Sequence, residues 1–174
     1  MIFASDNGGT KSSRNAPLRG YKGSTLEGGI RVPAIARWPG VIPAGVTSHQ
    51  VCVTFDLTAS IAAAARVRAS DKEPLEGIDI VGHVAKGTAD FERTIYWRKP
   101  RGETIWKGVR EGTLKYVAKT EGDTTEDHLF DLADDIAEEH DLKETRPVDF
   151  QRLESLFQRW EQRTRRNRRG RPGD

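Results

Sequence analysis

Val109-Arg110-Glu111-Gly112-Thr113-Leu114-Lys115-Tyr116-Val117-Ala118 decides the fold of the second half of this chain. Two runs rich in β-branched and aromatic residues flank a short polar break, and Gly112 supplies the backbone angle that a tight hairpin needs. Outward from it, Thr94–Trp97, Ile105–Arg110 and His128–Asp131 have the same character. Pro100-Arg101-Gly102, Glu111-Gly112-Thr113 and Glu121-Gly122-Asp123 separate the runs, which predicts an antiparallel sheet of three or four strands. Pro147 then stands near the start of a helix in which Phe150, Leu153, Leu156 or Phe157, and Trp160 recur at three- and four-residue spacing. That stripe predicts a helix lying on one face of the sheet.

The chain has 174 residues, of which 36% are hydrophobic and 31% charged, enough for one ordinary domain or a large piece of one. Mean hydropathy is -0.65, and the longest wholly apolar run, Ile61–Ala65, is far short of the roughly 18 to 20 residues that span a bilayer. No membrane partner is expected. Met1–Asp6 has no basic region and no long apolar stretch, so it does not read as a signal peptide. A single cysteine, Cys52, excludes an internal disulfide framework and a multi-cysteine zinc site. The net charge of +2 conceals segregation: from Arg159 to Asp174 seven arginines face only Glu161 and Asp174, while Glu121–Glu144 carries eleven carboxylates against Lys143. Residues 163–174 offer nothing to bury and are expected to be a disordered basic tail.

Upstream, Met1–Ala4 reads as the end of a buried strand and Val32–Trp38 as a short strand after a turn. A buried strand that begins at the first residue suggests a chain that starts in the middle of a fold. Asp56–Arg66 has Leu57, Ile61 and Ala64 or Ala65 at helical spacing, with Thr54 or Asp56 as its cap. Ala69–Gly77 reads as a loop and Ile78–Val84 as a short strand or turn.

Two stretches carry residues suited to chemistry. Ser5-Asp6-Asn7-Gly8-Gly9 follows an apolar strand, and a carboxylate beside an amide oxygen suits a hard cation such as Ca²⁺ or Mg²⁺. The same residues also make an ordinary turn. In Pro17–Pro33, Arg19, Lys22 and Arg31 lie among four glycines, a composition that can surround an oxyanion with cations and backbone N–H groups. A solvated loop with Glu27 paired to one of its cations is the equal alternative. His49, His83, His128 and His140 have no metal-ligand spacing and read as surface or structural residues, and the carboxylates from Asp131 to Asp141 lack a calcium-loop pattern and read as a solvated turn.

Phe3–Gly9, Leu18–Gly23 and Glu27–Pro33, followed in order by Asp56-Leu57-Thr58, Val109–Tyr116 and Leu129–Asp135, resemble the C-terminal portion of a sulfatase of the alkaline phosphatase superfamily, arylsulfatase-like. The resemblance runs from residue 1 to about Trp160. It implies an α/β fold: residues 1–90 as the C-terminal end of the catalytic domain, and residues 91–162 as a small α+β subdomain whose antiparallel sheet is packed by the last helix. It further implies that Asp6 and Asn7 contribute to a Ca²⁺ site, that Lys22 contacts the sulfate group, and that Arg19, Glu27 and Arg31 are loop scaffolding. The substrate would be a sulfate ester, and the activity that of a sulfuric ester hydrolase.

The departures from the family pattern are specific. The formylglycine nucleophile arises in a Cys-x-Pro-x-Arg motif, whereas Val51-Cys52-Val53-Thr54-Phe55-Asp56 has Thr54 and Asp56 where Pro and Arg are required. Cys52 is therefore expected to be a buried small apolar residue instead. The nucleophile segment, the remaining acidic metal ligands and the other sulfate-binding cations are absent. Two oxygen ligands do not fill a Ca²⁺ shell of six to eight. The expectation is a fragment inactive alone, completed by the missing N-terminal sulfatase portion. The alternatives are a fragment of a related phosphoesterase or phosphonate hydrolase, or a non-catalytic polyanion-binding module using the Arg-rich tail; nucleic acid is not the expected partner. The family is often periplasmic or extracellular, and localisation is left open.

Overall fold

A computed structural model describes residues 1–70 and 74–169. They form two compact units, residues 1–6 with 32–91 and residues 7–31 with 92–174. Residues 7–31 group with the sheet that follows residue 92.

The second unit is built on four strands of eight residues each, β3 (Thr94–Arg101), β4 (Thr104–Glu111), β5 (Leu114–Glu121) and β6 (Thr124–Asp131). They pair antiparallel in chain order, so every connection is a hairpin. Each turn has two residues, with Gly102, Gly112 or Gly122 first, at φ of 59°, 59° and 58°. Glycine at the first central position is the pattern of the type II′ hairpin, whose twist matches that of the strands it joins. Pro100 and Arg101, read from sequence as part of a break, continue β3. Pro100 is tolerated because β3 is an edge strand and loses no interior ladder bond.

Helix α4 (Pro147–Arg169) lies on one face of this sheet. Its stripe buries Phe150, Leu153 and Phe157 against Val109, Leu114, Tyr116, Ala118 and Leu129. Tyr96 stacks on Trp160 with ring centroids 5.0 Å apart, and Arg98 Nε donates to Glu161 at 2.6 Å. The helix runs to Arg169, into the stretch expected to be disordered. Arginine is a good helix former, Arg165 donates to Glu161 one turn back, and a helix nucleated by a packed stripe propagates cheaply. Residues 170–174 of that stretch lie outside the described residues.

In the first unit, β1 (Ile2–Ala4) pairs antiparallel with β2 (Ala34–Ala36) in a two-stranded ribbon. Phe3 and Ile35 are each 60% exposed, so β1 is not the buried strand its composition suggested; no third strand flanks the ribbon among the described residues. Helix α2 (Thr54–Ala64) begins two residues before the expected Asp56, and Val53 rather than Thr54 or Asp56 occupies its N-cap position. Its buried face is Asp56, Ala59 and Ser60, while Ile61 of the predicted stripe is 58% exposed. Asp56 explains the difference: its carboxylate accepts from Val53 N–H at 2.7 Å and Ile78 N–H at 2.9 Å, which turns that side of the helix inward. Where Ile78–Val84 reads from sequence as a strand or turn, the chain forms helix α3 (Ile80–Lys86), capped by Asp79 accepting from Gly82 N–H and ended by Gly87 at φ 61°. The loop expected over residues 69–77 includes residues 71–73, which lie outside the described residues. Cys52 is exposed rather than buried. It precedes α2 in extended chain, and with Val51 and Val53 half-buried on either side its side chain takes the opposite direction. No helix among the described residues is long and apolar enough to cross a membrane.

Leu153 is fully buried beneath the sheet. Leu153→Ala is expected to lower the stability of the second unit by about 2–5 kcal/mol, measured by urea unfolding of the chain, because the sheet beneath the cavity cannot collapse into it.

Candidate functional site

The face of the sheet opposite α4 is covered by residues 7–31, which include the one-turn helix α1 (Glu27–Ile30). Leu26 packs there with Val117, Phe130 and Leu132, and Thr25 Oγ1 donates to Lys107 O at 2.9 Å. The sheet is thus buried on both faces, and β5 is buried along most of its length. One residue of β5 is Lys115, whose side chain is fully buried. Its Nζ donates to Glu27 Oε1 at 2.7 Å and to Glu138 Oε1 at 2.8 Å. Glu138 in turn accepts from Glu27 N–H through Oε2 at 2.7 Å, and its backbone carbonyl accepts from Arg19 Nη1 at 2.7 Å. Arg31 Nη1 donates to Glu27 Oε2 at 3.1 Å. Arg19, Glu27 and Arg31 are therefore scaffolding, as the motif reading expected.

Glu138 departs from the solvated turn expected of its acidic stretch. It is fully buried and sits at φ 57°, a region that costs a residue with a side chain free energy and is held here by its hydrogen bonds with Lys115, Glu27, Arg19 and Asp135. Its neighbours do behave as turn residues: Asp135 accepts from Glu139 and His140 N–H, and Asp141 from Leu129 and Lys143 N–H.

Backbone packing finishes the loop. Gly8 N–H donates to Gly29 O at 3.0 Å, Lys22 N–H to Gly9 O at 2.7 Å, and Gly28 N–H to Arg19 O at 2.7 Å. A Cβ on Gly8 would stand 2.0 Å from Gly28 O, and one on Gly28 2.5 Å from Gly20 O. Gly8 is required for close approach of two chain segments, not for the bend that its place in a turn-like sequence suggested.

Lys22 is exposed and lines an open groove of about 650 Å³ together with Thr10, Lys11, Tyr21, Gly23, Lys99, Pro100 and Arg101. Four of the lining side chains are cationic and none is acidic. Lys22 was singled out from sequence; Lys11, Lys99 and Arg101 were not, because the groove joins β3 to a loop some eighty positions earlier. Lys99 and Arg101 had one legible signal, their spacing of two on a strand, which puts both on one face. Asn7 is half-buried at the start of the second unit, and Asp6 is exposed at the end of the first. Among the described residues no three His, Cys, Asp or Glu side chains converge on a common point. Asp6 and Asn7 offer a carboxylate and an amide oxygen, two of the six to eight donors that a calcium shell takes.

Comparison with known proteins agrees with the motif reading. Residues 1–67 match the family model described as Sulfatase. The chain is a relative of the sulfatases. N-acetylgalactosamine-6-sulfatase of Sus scrofa is 38% identical over 112 residues, which is 60% of this chain and 21% of that protein. Arylsulfatase A of Bos taurus is 32% identical over 170 residues, 82% of this chain and 33% of that protein. The crystal structure of Ps i-CgsB superposes with a TM-score of 0.79 at 29% identity, covering 91% of this chain and 35% of the other. This sulfatase relative therefore spans between a fifth and a third of the length of the curated proteins it matches.

The buried cluster has a signed pH dependence. Burial by itself would raise the Glu27 carboxyl, but the charge and hydrogen bond of Lys115, with Arg31, outweigh it and hold Glu27 below its ordinary value. For Glu138 burial wins over Lys115 and the carboxyl lies above its ordinary value. Glu27 therefore stabilises the fold above the ordinary carboxylate range and loses that contribution as pH falls through its lowered value. Glu138 has the opposite sign: its contribution is present below that range and lost as pH rises through its raised value. Lys115→Met strands both carboxylates and is expected to cost about 3–5 kcal/mol at neutral pH. That cost should shrink as pH is lowered and the stranded acids protonate; urea unfolding followed by tryptophan fluorescence at pH 7 and at about pH 4.5, near the ordinary carboxylate value, measures it. An equal cost at both values would contradict the arrangement.

Proposed function

We propose that this chain contributes sulfate- and calcium-binding residues to a sulfuric ester hydrolase whose nucleophile lies outside it. The observation that carries the reading is the placement of Lys22: exposed, in a groove lined by cations without a carboxylate, on a loop locked to the sheet by the Lys115 cluster. A point positive charge held there neutralises a bound sulfate and opposes the charge that develops as the S–O bond breaks. Asp6 and Asn7 would be two ligands of a Ca²⁺ shell whose remaining donors come from elsewhere. Cys52 has no part in the chemistry, since its surroundings lack the proline and arginine of the formylglycine motif.

The partner that completes the site would be the N-terminal sulfatase portion. Phe3, Ile35 and Ile61, exposed in the first unit, support this, because apolar residues gathered on one unit mark a surface that another segment covers. The share of its relatives' length that the chain spans points the same way.

The purified 174-residue chain is expected to show no turnover of 4-nitrophenyl sulfate, and measurable release of 4-nitrophenol would overturn the fragment reading. Inorganic sulfate should bind weakly to the same chain by calorimetry at low ionic strength. Lys22→Gln should weaken that binding about tenfold or more, the loss of one charge-assisted contact; unchanged binding would remove Lys22 from the site.

A further inference from the structure

The groove is larger than one sulfate group requires. Its volume of about 650 Å³ is in the range that encloses a ligand of several rings, whereas Lys22 accounts for one anion at one end. Lys99 and Arg101 sit two positions apart on β3, so both side chains leave the same face of the edge strand. Arg101 Nη1 lies 3.1 Å from where a Cβ on Gly23 would stand, which brings its guanidinium against the residue next to Lys22. Lys11 Nζ stands 5.0 Å from the centre of the Tyr21 ring, held over its face.

These cations differ from several others of the unit. Lys115, Lys143, Arg98, Arg146 and Arg152 each pair with a carboxylate. Among the described residues no ion pair involves Lys11, Lys22, Lys99 or Arg101, and no carboxylate lines the groove they share. Like charges gathered without a counter-charge repel one another, and the field of such a groove concentrates anions in it. Lysine supplies a point charge, while arginine grips two oxygens of one anionic group.

We propose that Lys99 and Arg101, with Lys11 beside them, form a second anion subsite, and that the substrate carries at least two sulfate groups. This rests on the reading of Lys22: the ester to be cleaved lies at Lys22, and a neighbouring sulfate of the same molecule is held by the β3 pair. A nucleic acid fits the groove less well. Tyr21 is its one aromatic residue and Lys11 covers one face of that ring, so the groove offers no succession of aromatic platforms for base stacking.

Calorimetry on the full chain tests the proposal, with inorganic sulfate and sucrose octasulfate as probes. Sucrose octasulfate should bind at least about tenfold more tightly than sulfate, and the Lys99→Gln/Arg101→Gln double variant should lose at least about tenfold of that affinity while binding sulfate within about twofold of the parent chain. Lys11→Gln should show a smaller loss in the same direction. Arg159→Gln/Arg163→Gln, which removes equal charge from α4, should leave octasulfate binding unchanged. An unchanged octasulfate affinity in the β3 double variant, or an equal loss in the α4 variant, would overturn the subsite. So would a single-stranded oligonucleotide that binds as tightly as the octasulfate and is weakened equally by the β3 substitutions. If Lys22→Gln leaves sulfate binding intact while the β3 variant still loses octasulfate, the second subsite stands and the assignment of Lys22 fails.

Discussion

The placement of residues 7–31 over the sheet depends on burying one positive charge. Lys115 has no solvent, so its ammonium must be met by Glu27 and Glu138, and those carboxylates arrive from segments far before and after it in the chain. Such a cluster adds little net stability compared with an apolar core of equal size, because desolvation consumes most of the attraction. Its effect is positional. Glu27 and Glu138 satisfy one another's remaining hydrogen-bonding groups only when residues 7–31 sit in one register over the sheet. Together with the packing of Leu26 and the hydrogen bond from Thr25 to Lys107, this fixes the glycine-rich loop that carries Lys22.

The sheet was legible because its signals are local. Strand runs broken by glycine at regular intervals set the three hairpins, and the stripe of Phe150, Leu153 and Phe157 set the helix. Helix α3 was missed because only its apolar residues were weighed; Asp79 before it and Gly87 after it are the ordinary start and stop signals of a short helix. The buried triad was missed for a deeper reason. A lysine in an alternating strand reads as solvent-facing, an inference that fails when both faces of a sheet are covered, and nothing near Lys115 in sequence announces that residues 7–31 return to cover it.

The site shows the same division. Asp6, Asn7 and Lys22 were reached through short motifs, which report on residues adjacent in the chain. Lys99 and Arg101 join Lys22 only through folding, so no motif contains all three. Cys52 shows how composition misleads: cysteine is among the most buried residue types, yet its place in an extended stretch between two half-buried valines decides its exposure.

The hairpin order of the sheet also sets a sequence of events in time. Each strand pairs with the one just made, so β3 to β6 can assemble as soon as they exist, without waiting for distant chain. The loop that carries Lys22 is synthesised earlier but has nothing to dock on until Lys115, and then Glu138, have left the ribosome. The first part of this unit to be made thus waits for a partner that lies 111 positions later in the chain.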